Sequence, residues 1–213
     1  MKSHSNMVDR PKLLKDPQER ANRIAQLQDL HVAPLTQFVA QLREEVGDEA
    51  GIPEFDPWDG GIAAEILFLL EAPGAKAVKS GFISRNNNDE SAKNFYEISF
   101  EANIPRTRTI TWNIVPWYIG TGSKIRAATG SDIVSGSSSL SRFLDLLPKL
   151  KVIVLVGLKA QCAEEMIRTL RPNAHIVKSY HPSPRFVNRY PRNRSLIVDA
   201  FRAAGLLLNN EEA

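Results

Sequence analysis

The sequence predicts an α/β fold, a parallel sheet with helices on both faces. Three observations predict it. Four short apolar or β-branched runs alternate with helical patterns along the chain. The clearest run, Ile66-Leu67-Phe68-Leu69-Leu70, is apolar without a break, the signature of a strand buried on both faces. Third, Glu71, Asn113 and His181 each stand at the end of a predicted strand, at a Pro- or Gly-marked turn. The carboxyl ends of parallel strands lie on one rim, where open α/β sheets bind their ligands. An acid, an amide and an imidazole are therefore expected to converge there.

In order, residues 1–15 are polar and expected to be loosely held. Asp16-Pro17-Gln18-Glu19 reads as a helix start, with Asp16 at the N-cap and Pro17 at the first helical position. An amphipathic helix is expected over 21–30. A second, over 33–46, places Leu35, Phe38, Val39 and Leu42 on one face and stops at Gly47. Residues 51–61 hold Pro53, Pro57, Gly60 and Gly61 and read as a loop. The first strand, 65–71, leads to a loop over 74–88, then a helix over 89–102. The second strand, 107–112, is rich in β-branched residues and runs into Asn113-Ile114-Val115-Pro116-Trp117. A Gly-rich loop over 118–136 carries Lys124 and Arg126; its length marks it as functional or mobile. A helix over 138–147 precedes the third strand, 152–156, closed by Gly157. A helix over 160–170, a fourth strand over 174–179 and a last helix over 194–208 complete the pattern, and no fixed-period repeat is present.

Composition narrows the function classes. Hydrophobic content of 43% and charged content of 24% over 213 residues suit one globular domain with a sizeable core. No apolar run approaches the roughly 20 residues of a membrane span, and the polar Met1 to Asn6 start shows no secretory signal, so a cytoplasmic protein is expected. The single cysteine, Cys162, excludes an internal disulfide and any four-cysteine metal or iron–sulfur site. It is expected to be an inert, part-buried thiol, and Trp112 and Trp117 are expected to serve packing. Net charge is only +3, but Arg171, Lys178, Arg185, Arg189, Arg192 and Arg194 form a basic stretch without an acid. Such a block suits a phosphate backbone.

Glu71-Ala72-Pro73-Gly74, Asn113-Ile114-Val115-Pro116-Trp117, Val154-Leu155-Val156-Gly157 and His181-Pro182-Ser183-Pro184 stand in this order, each at a predicted strand end. Together they resemble the motifs of the uracil-DNA glycosylase superfamily, over residues 62–206. The resemblance implies a three-layer α/β/α sandwich with a central four-stranded parallel sheet, within a single domain spanning 1–213 and with 1–50 as an N-terminal helical extension. It implies a monofunctional DNA glycosylase that flips uracil out of DNA and hydrolyses its N-glycosidic bond, leaving an abasic site for base excision repair. The first motif has the form seen in the iron–sulfur branch, yet one cysteine cannot hold a cluster, so the chain resembles a branch without one. Ala72 occupies the place of the aspartate that positions water in the best-known branch. Gly74 occupies the place of the tyrosine that blocks the thymine methyl.

The chemistry requires a base taken out of the stack, an oxocarbenium-like sugar and preset donors for the charge on the leaving base. The resemblance gives Asn113 the base-reading role: its amide accepts from uracil N3–H and donates to O4, a pattern that cytosine reverses. His181 is to donate to O2. Phe82 is the candidate stacking face, with a plain core phenylalanine as the competing reading. Glu71 is to position water or support the cationic sugar. Alternatively it only ties down a loop, and main-chain groups at Ala72 together with Asn113 hold the water. Ala72 and Gly74 are expected against the base. Ser183, Arg185, Arg189, Lys124 and Arg126 are candidate DNA contacts, with Arg185 or Phe186 as the wedge that fills the vacated stack. The implied partners are DNA containing uracil or abasic sites, with free uracil as product; no membrane contact is expected, and the chain is expected to be a monomer. No metal or organic cofactor is required. Two alternatives stay open: a protein of the same fold that binds uracil- or abasic DNA with weak or no turnover, and a flavodoxin-like small-molecule enzyme. The second lacks a Gly-x-Gly-x-x-Gly fingerprint.

Overall fold

A computed structural model describes residues 8–122 and 124–209. The expectation of a loose start lies outside the described residues for 1–7 and is corrected for the rest. Leu13 and Leu14 are buried, and the Leu14 N–H donates to the Asn86 carbonyl at 3.0 Å. Two adjacent leucines in a polar stretch anchor it. Helix α1 (Pro17–Ile24) starts as predicted, with the Asp16 side chain accepting from the Gln18 N–H at 2.9 Å. It ends six residues before the predicted stop at 30, in a run of turns where Leu30 is 92% exposed. Without an apolar face to bury, the helix has nothing to sustain it. Helix α2 (Ala33–Val46) matches its predicted bounds, buries the four predicted residues, and stops at Gly47 with φ 92°.

The remaining elements are β1 (Glu54–Phe55), β2 (Ile66–Leu70), α3 (Ala75–Ser80), β3 (Phe82–Ile83), α4 (Glu90–Glu101), β4 (Thr109–Asn113), β5 (Gly120–Thr121), β6 (Lys124–Ile125), α5 (Gly130–Asp145), β7 (Val152–Val156), α6 (Leu158–Gln161), α7 (Glu164–Leu170), β8 (His175–Ser179), α8 (Pro184–Val187) and α9 (Pro191–Asn209). Strands β4, β2, β7 and β8 form the predicted four-stranded parallel sheet, in that order. The apolar run 66–70 lies inside it, which is why no polar residue interrupts it. Successive side chains alternate between faces. Leu67, Leu69, Ile110, Trp112, Ile153 and Leu155 pack toward α2 and α5. Ile66, Phe68, Val152, Val154 and Val156 pack toward α4 and α9. Trp112 serves packing as expected, fully buried and stacked on Phe55 at 4.0 Å.

Three connections are more ordered than the sequence pattern indicates. Residues 51–61 contain β1, and 74–88 contain α3 and β3. The Gly-rich loop ends at 129, because Thr129 and Asp132 form a capping box that starts α5 eight residues before the predicted helix at 138. Gly136 lies inside that helix for a steric reason: a Cβ there would come within 2.2 Å of the Ile114 carbonyl oxygen, next to Asn113. Gly136→Ala is expected to cost about 1–3 kcal/mol of stability by overpacking, read as a lower thermal midpoint. The helix predicted over 160–170 divides into α6 and α7 around Cys162 and Ala163. Cys162 is exposed, which corrects the expectation of a part-buried thiol.

A buried ionic cluster joins the N-terminal segment to the sheet. Arg106 donates to Asp56 at 2.6 Å, Asp59 at 2.7 Å and Asp9 at 2.9 Å, and Arg23 pairs with Asp56. Arg85 donates to the Thr109 hydroxyl at 2.7 Å and faces Asp59 at 3.7 Å. Burial pushes the Asp56 carboxyl up, but Arg106, Arg23 and the Ser84 hydroxyl outweigh it and hold its pKa at about 2. Charges this deep persist only when mutually paired. Asn86 completes the bracket, donating to Asp9 at 2.7 Å and to the Arg10 carbonyl at 2.6 Å.

Candidate active site

The sheet pins its strand ends to one another. Beyond β2 and β4, the Ile114 N–H donates to the Leu70 carbonyl at 2.9 Å and the Val115 N–H to the Glu71 carbonyl at 3.0 Å. Beyond β7 and β8, the Gly157 N–H donates to the Ser179 carbonyl at 2.8 Å. Gly157 adopts φ 91°, and a Cβ there would stand 3.2 Å from the His181 Cβ, so both its backbone conformation and its neighbour favour glycine. Asn94 of α4 donates to the Pro182 carbonyl at 2.9 Å and draws that helix over the rim.

Between these ends lies a cavity of about 530 Å³, within the range of small-molecule sites. Glu71, Asn113 and His181 all line it, as do Ala72 and Gly74. Asn113 is 3% exposed, and its Nδ2 is buried without a hydrogen-bond partner among the described residues. An unpartnered buried donor costs roughly 1–3 kcal/mol, which an acceptor on a bound ligand would recover. Neither ring nitrogen of the half-buried His181 makes a hydrogen bond among the described residues. Burial lowers the His181 pKa from 6.5, and the carboxylates of Glu71 and Asp89 offset this only in part. The imidazole is therefore neutral at pH 7, able to donate from one nitrogen. Glu71 accepts the Ala128 N–H with one carboxylate oxygen, tying down the loop before α5. Asp89, also on the wall, caps α4 by accepting the Ala92 N–H at 2.9 Å. Both wall carboxylates thus hold backbone.

Phe82 requires correction as the stacking face. It is 1% exposed and does not line the cavity. β3 pairs with β1 in parallel, and the alternation of side chains gives the cavity to Ile83 and turns Phe82 away. The aromatic residue on the wall is Phe95 of α4, whose ring also meets Phe68 edge-on at 5.0 Å. Phe95 sits in the helical apolar pattern with Ile98, so the sequence signal for it is that of a core residue. Thr111, Arg85 and Ile125 also line the cavity without having been singled out for it. Ile125 is 47% exposed on the hairpin formed by β5 and β6.

The DNA-contact candidates divide. Ser183 is half-buried just before α8, while Arg185, Arg189 and Lys124 are exposed. Arg126 is engaged: its guanidinium donates to both Asp132 oxygens, at 2.6 and 2.9 Å. Phe186 is half-buried, packed on the apolar face toward α9 and stacked on Tyr180, so it is not a free wedge. The basic stretch is partly neutralised as well. Arg171 pairs with Asp145 at 3.0 Å, Lys178 with Glu164 at 2.6 Å, and Arg194 with Glu101. Arg185, Arg189 and Arg192 make no ion pair among the described residues.

No described helix is long and apolar enough to cross a membrane, and the described residues contain no group of three metal-ligating side chains. A family model described as the uracil DNA glycosylase superfamily matches residues 57–204. A solution NMR structure of a protein from Methanosarcina acetivorans, provisionally named a uracil DNA glycosylase, is similar at 17% identity and a TM-score of 0.46, covering 68% of this chain and 92% of its own. No curated protein matches the chain.

Proposed function

The chain belongs to the uracil-DNA glycosylase superfamily, and from that premise we propose that it is a monofunctional glycosylase that removes uracil from DNA by hydrolysis. The observation that carries the reading is the meeting of Asn113 and His181 at one cavity, the first with an unpartnered amide nitrogen and the second neutral. Uracil extruded into that cavity offers its O4 to Asn113 Nδ2 and its N3–H to the Asn113 carbonyl oxygen. Its O2 meets a donor from His181. As the glycosidic bond lengthens, the electron pair moves to the base, and charge on O2 is met by a donor already in place. Water then adds to C1′ of the oxocarbenium-like sugar, and the proton it loses neutralises the departing uracil anion.

Glu71 serves this scheme by holding the loop at Ala128, and its charge favours the cationic sugar. One of its oxygens is held by backbone, and the other, without a partner among the described residues, is left to place the water, with main-chain groups at Ala72 as the alternative. The same observation favours a second reading, a protein that grips uracil or abasic DNA and turns over poorly. Single-turnover release of free uracil from a labelled oligonucleotide separates the two: release at a rate well above background supports the enzyme, and tight retardation without release supports the binder. Lys76 lines the cavity, so the monofunctional reading also expects no borohydride-trapped adduct with the abasic product.

Gly74 bears on base range. It is exposed on the cavity wall, and a Cβ added there would meet nothing within 4 Å. Nothing at this position blocks a 5-methyl group. The wild type is expected to release thymine or another base besides uracil on a panel that includes hypoxanthine and xanthine. Gly74→Tyr is expected to depress thymine release by about tenfold or more relative to uracil, the scale on which a pocket rejects one methyl group.

A further inference from the structure

We propose that the Tyr180–Phe186 ring pair is a stacking platform for single-stranded DNA, holding a base beside the extruded one; this rests on the glycosylase reading above. Tyr180 is 46% exposed although it stands next to His181. Its ring stacks on Phe186 with centroids 4.5 Å apart and planes 20° from parallel. Phe186 in turn is packed against the apolar face toward α9. One side of the Tyr180 ring is thus buttressed from the core, and no other ring contact of Tyr180 occurs among the described residues. A tyrosine held this way loses little conformational entropy when a base lies on it.

The position fits the substrate. Consecutive Cα atoms are about 3.8 Å apart, so the platform begins one residue from a cavity-lining side chain, while Tyr180 itself stays outside the cavity. Arg185, Arg189 and Arg192 are exposed on the same segment without ion pairs among the described residues. An aromatic face beside cations without carboxylate partners, of which Arg189 lies over the Tyr190 ring at 5.4 Å, is the combination that holds single strands, by base stacking and phosphate attraction. Strand form follows from the same geometry. In a duplex the neighbouring base is already stacked and paired, and opening the stack calls for a free apolar wedge. Phe186, the apolar candidate for that wedge, is instead committed to Tyr180 and the core, and the other candidate, the exposed Arg185, is not apolar.

The test measures binding of a uracil-free 12-nucleotide DNA, single-stranded and as the duplex of the same sequence, by fluorescence anisotropy. Wild type is expected to bind the single strand more tightly. Tyr180→Ala should weaken single-strand binding by about tenfold, equivalent to 1.4 kcal/mol, and leave duplex binding unchanged. Tyr180→Phe should stay within about twofold of wild type. Equal wild-type affinity for the two forms would overturn the proposal. So would a Tyr180→Ala variant that keeps its single-strand affinity, or one that loses affinity for both forms alike, as a folding defect would. The probe contains no uracil, so the result is independent of turnover. A chain that binds as expected but releases no uracil from any DNA fails the glycosylase reading. A chain that releases uracil but is indifferent to Tyr180→Ala fails the platform.

Discussion

Asn113→Asp is expected to lower uracil release on the order of 10⁴-fold, the scale on which a site built to hydrogen-bond a polar group fails when that pairing is lost. The wild-type amide supplies one donor and one acceptor. A carboxylate supplies only acceptors, so O4 loses its partner and an anion faces the oxygens on which charge collects in the transition state. Shape is almost unchanged, which separates chemistry from packing. Asn113 is buried at the end of β4, in register with Leu70 of β2, so the variant also requires a check of its folding. Circular dichroism and binding of uracil-free DNA serve that purpose, since neither depends on reading the base. A folded variant with wild-type rate would remove Asn113 from base recognition and take the main support from the proposed function.

The parts of the site that were legible in the sequence are those governed by local chemistry. An apolar run ending in Glu-Ala-Pro-Gly announces a buried strand and its exit. Parallel order then places that exit beside Asn113 and His181. What was not legible depends on partners distant in the chain. The cations Arg171, Lys178 and Arg194 look free in a stretch without acids, yet Asp145, Glu164 and Glu101 reach them from other elements. Phe82 and Ile83 are both apolar, and only the pairing of β3 with β1 decides which one faces the cavity. Gly136 reads as the end of a loop, because the close approach of Ile114 that requires glycine inside the helix is a tertiary fact. The place of Glu71 was visible only as an open choice between chemistry and loop anchoring; its bond to Ala128 supports the anchoring half.

His181→Ala is expected to slow the chemical step by about 10²–10³-fold, the cost of removing one oxyanion donor. Ground-state binding should change far less, because the donor matters most when charge has moved onto O2. The protonation state sharpens the test. Burial holds the imidazole neutral by lowering its pKa from 6.5, with Glu71 and Asp89 opposing only in part. A neutral donor keeps its proton as pH rises, so the single-turnover rate should stay level from about pH 7 to 9, well above the ordinary histidine value. A rate that fell through this range with a histidine-like titration would require a cationic imidazole and would overturn the assignment. Stability carries the opposite-facing signature. The unfolded histidine takes up a proton near 6.5, whereas the folded one resists it, so this group lowers stability as pH falls below about 6.5. His181→Ala should therefore flatten the decline of unfolding free energy on acidification while it slows catalysis. Both effects from one side chain are what a neutral donor with a lowered pKa predicts, and a variant that changed the rate without touching the acid slope would show that His181 is not held neutral by its surroundings.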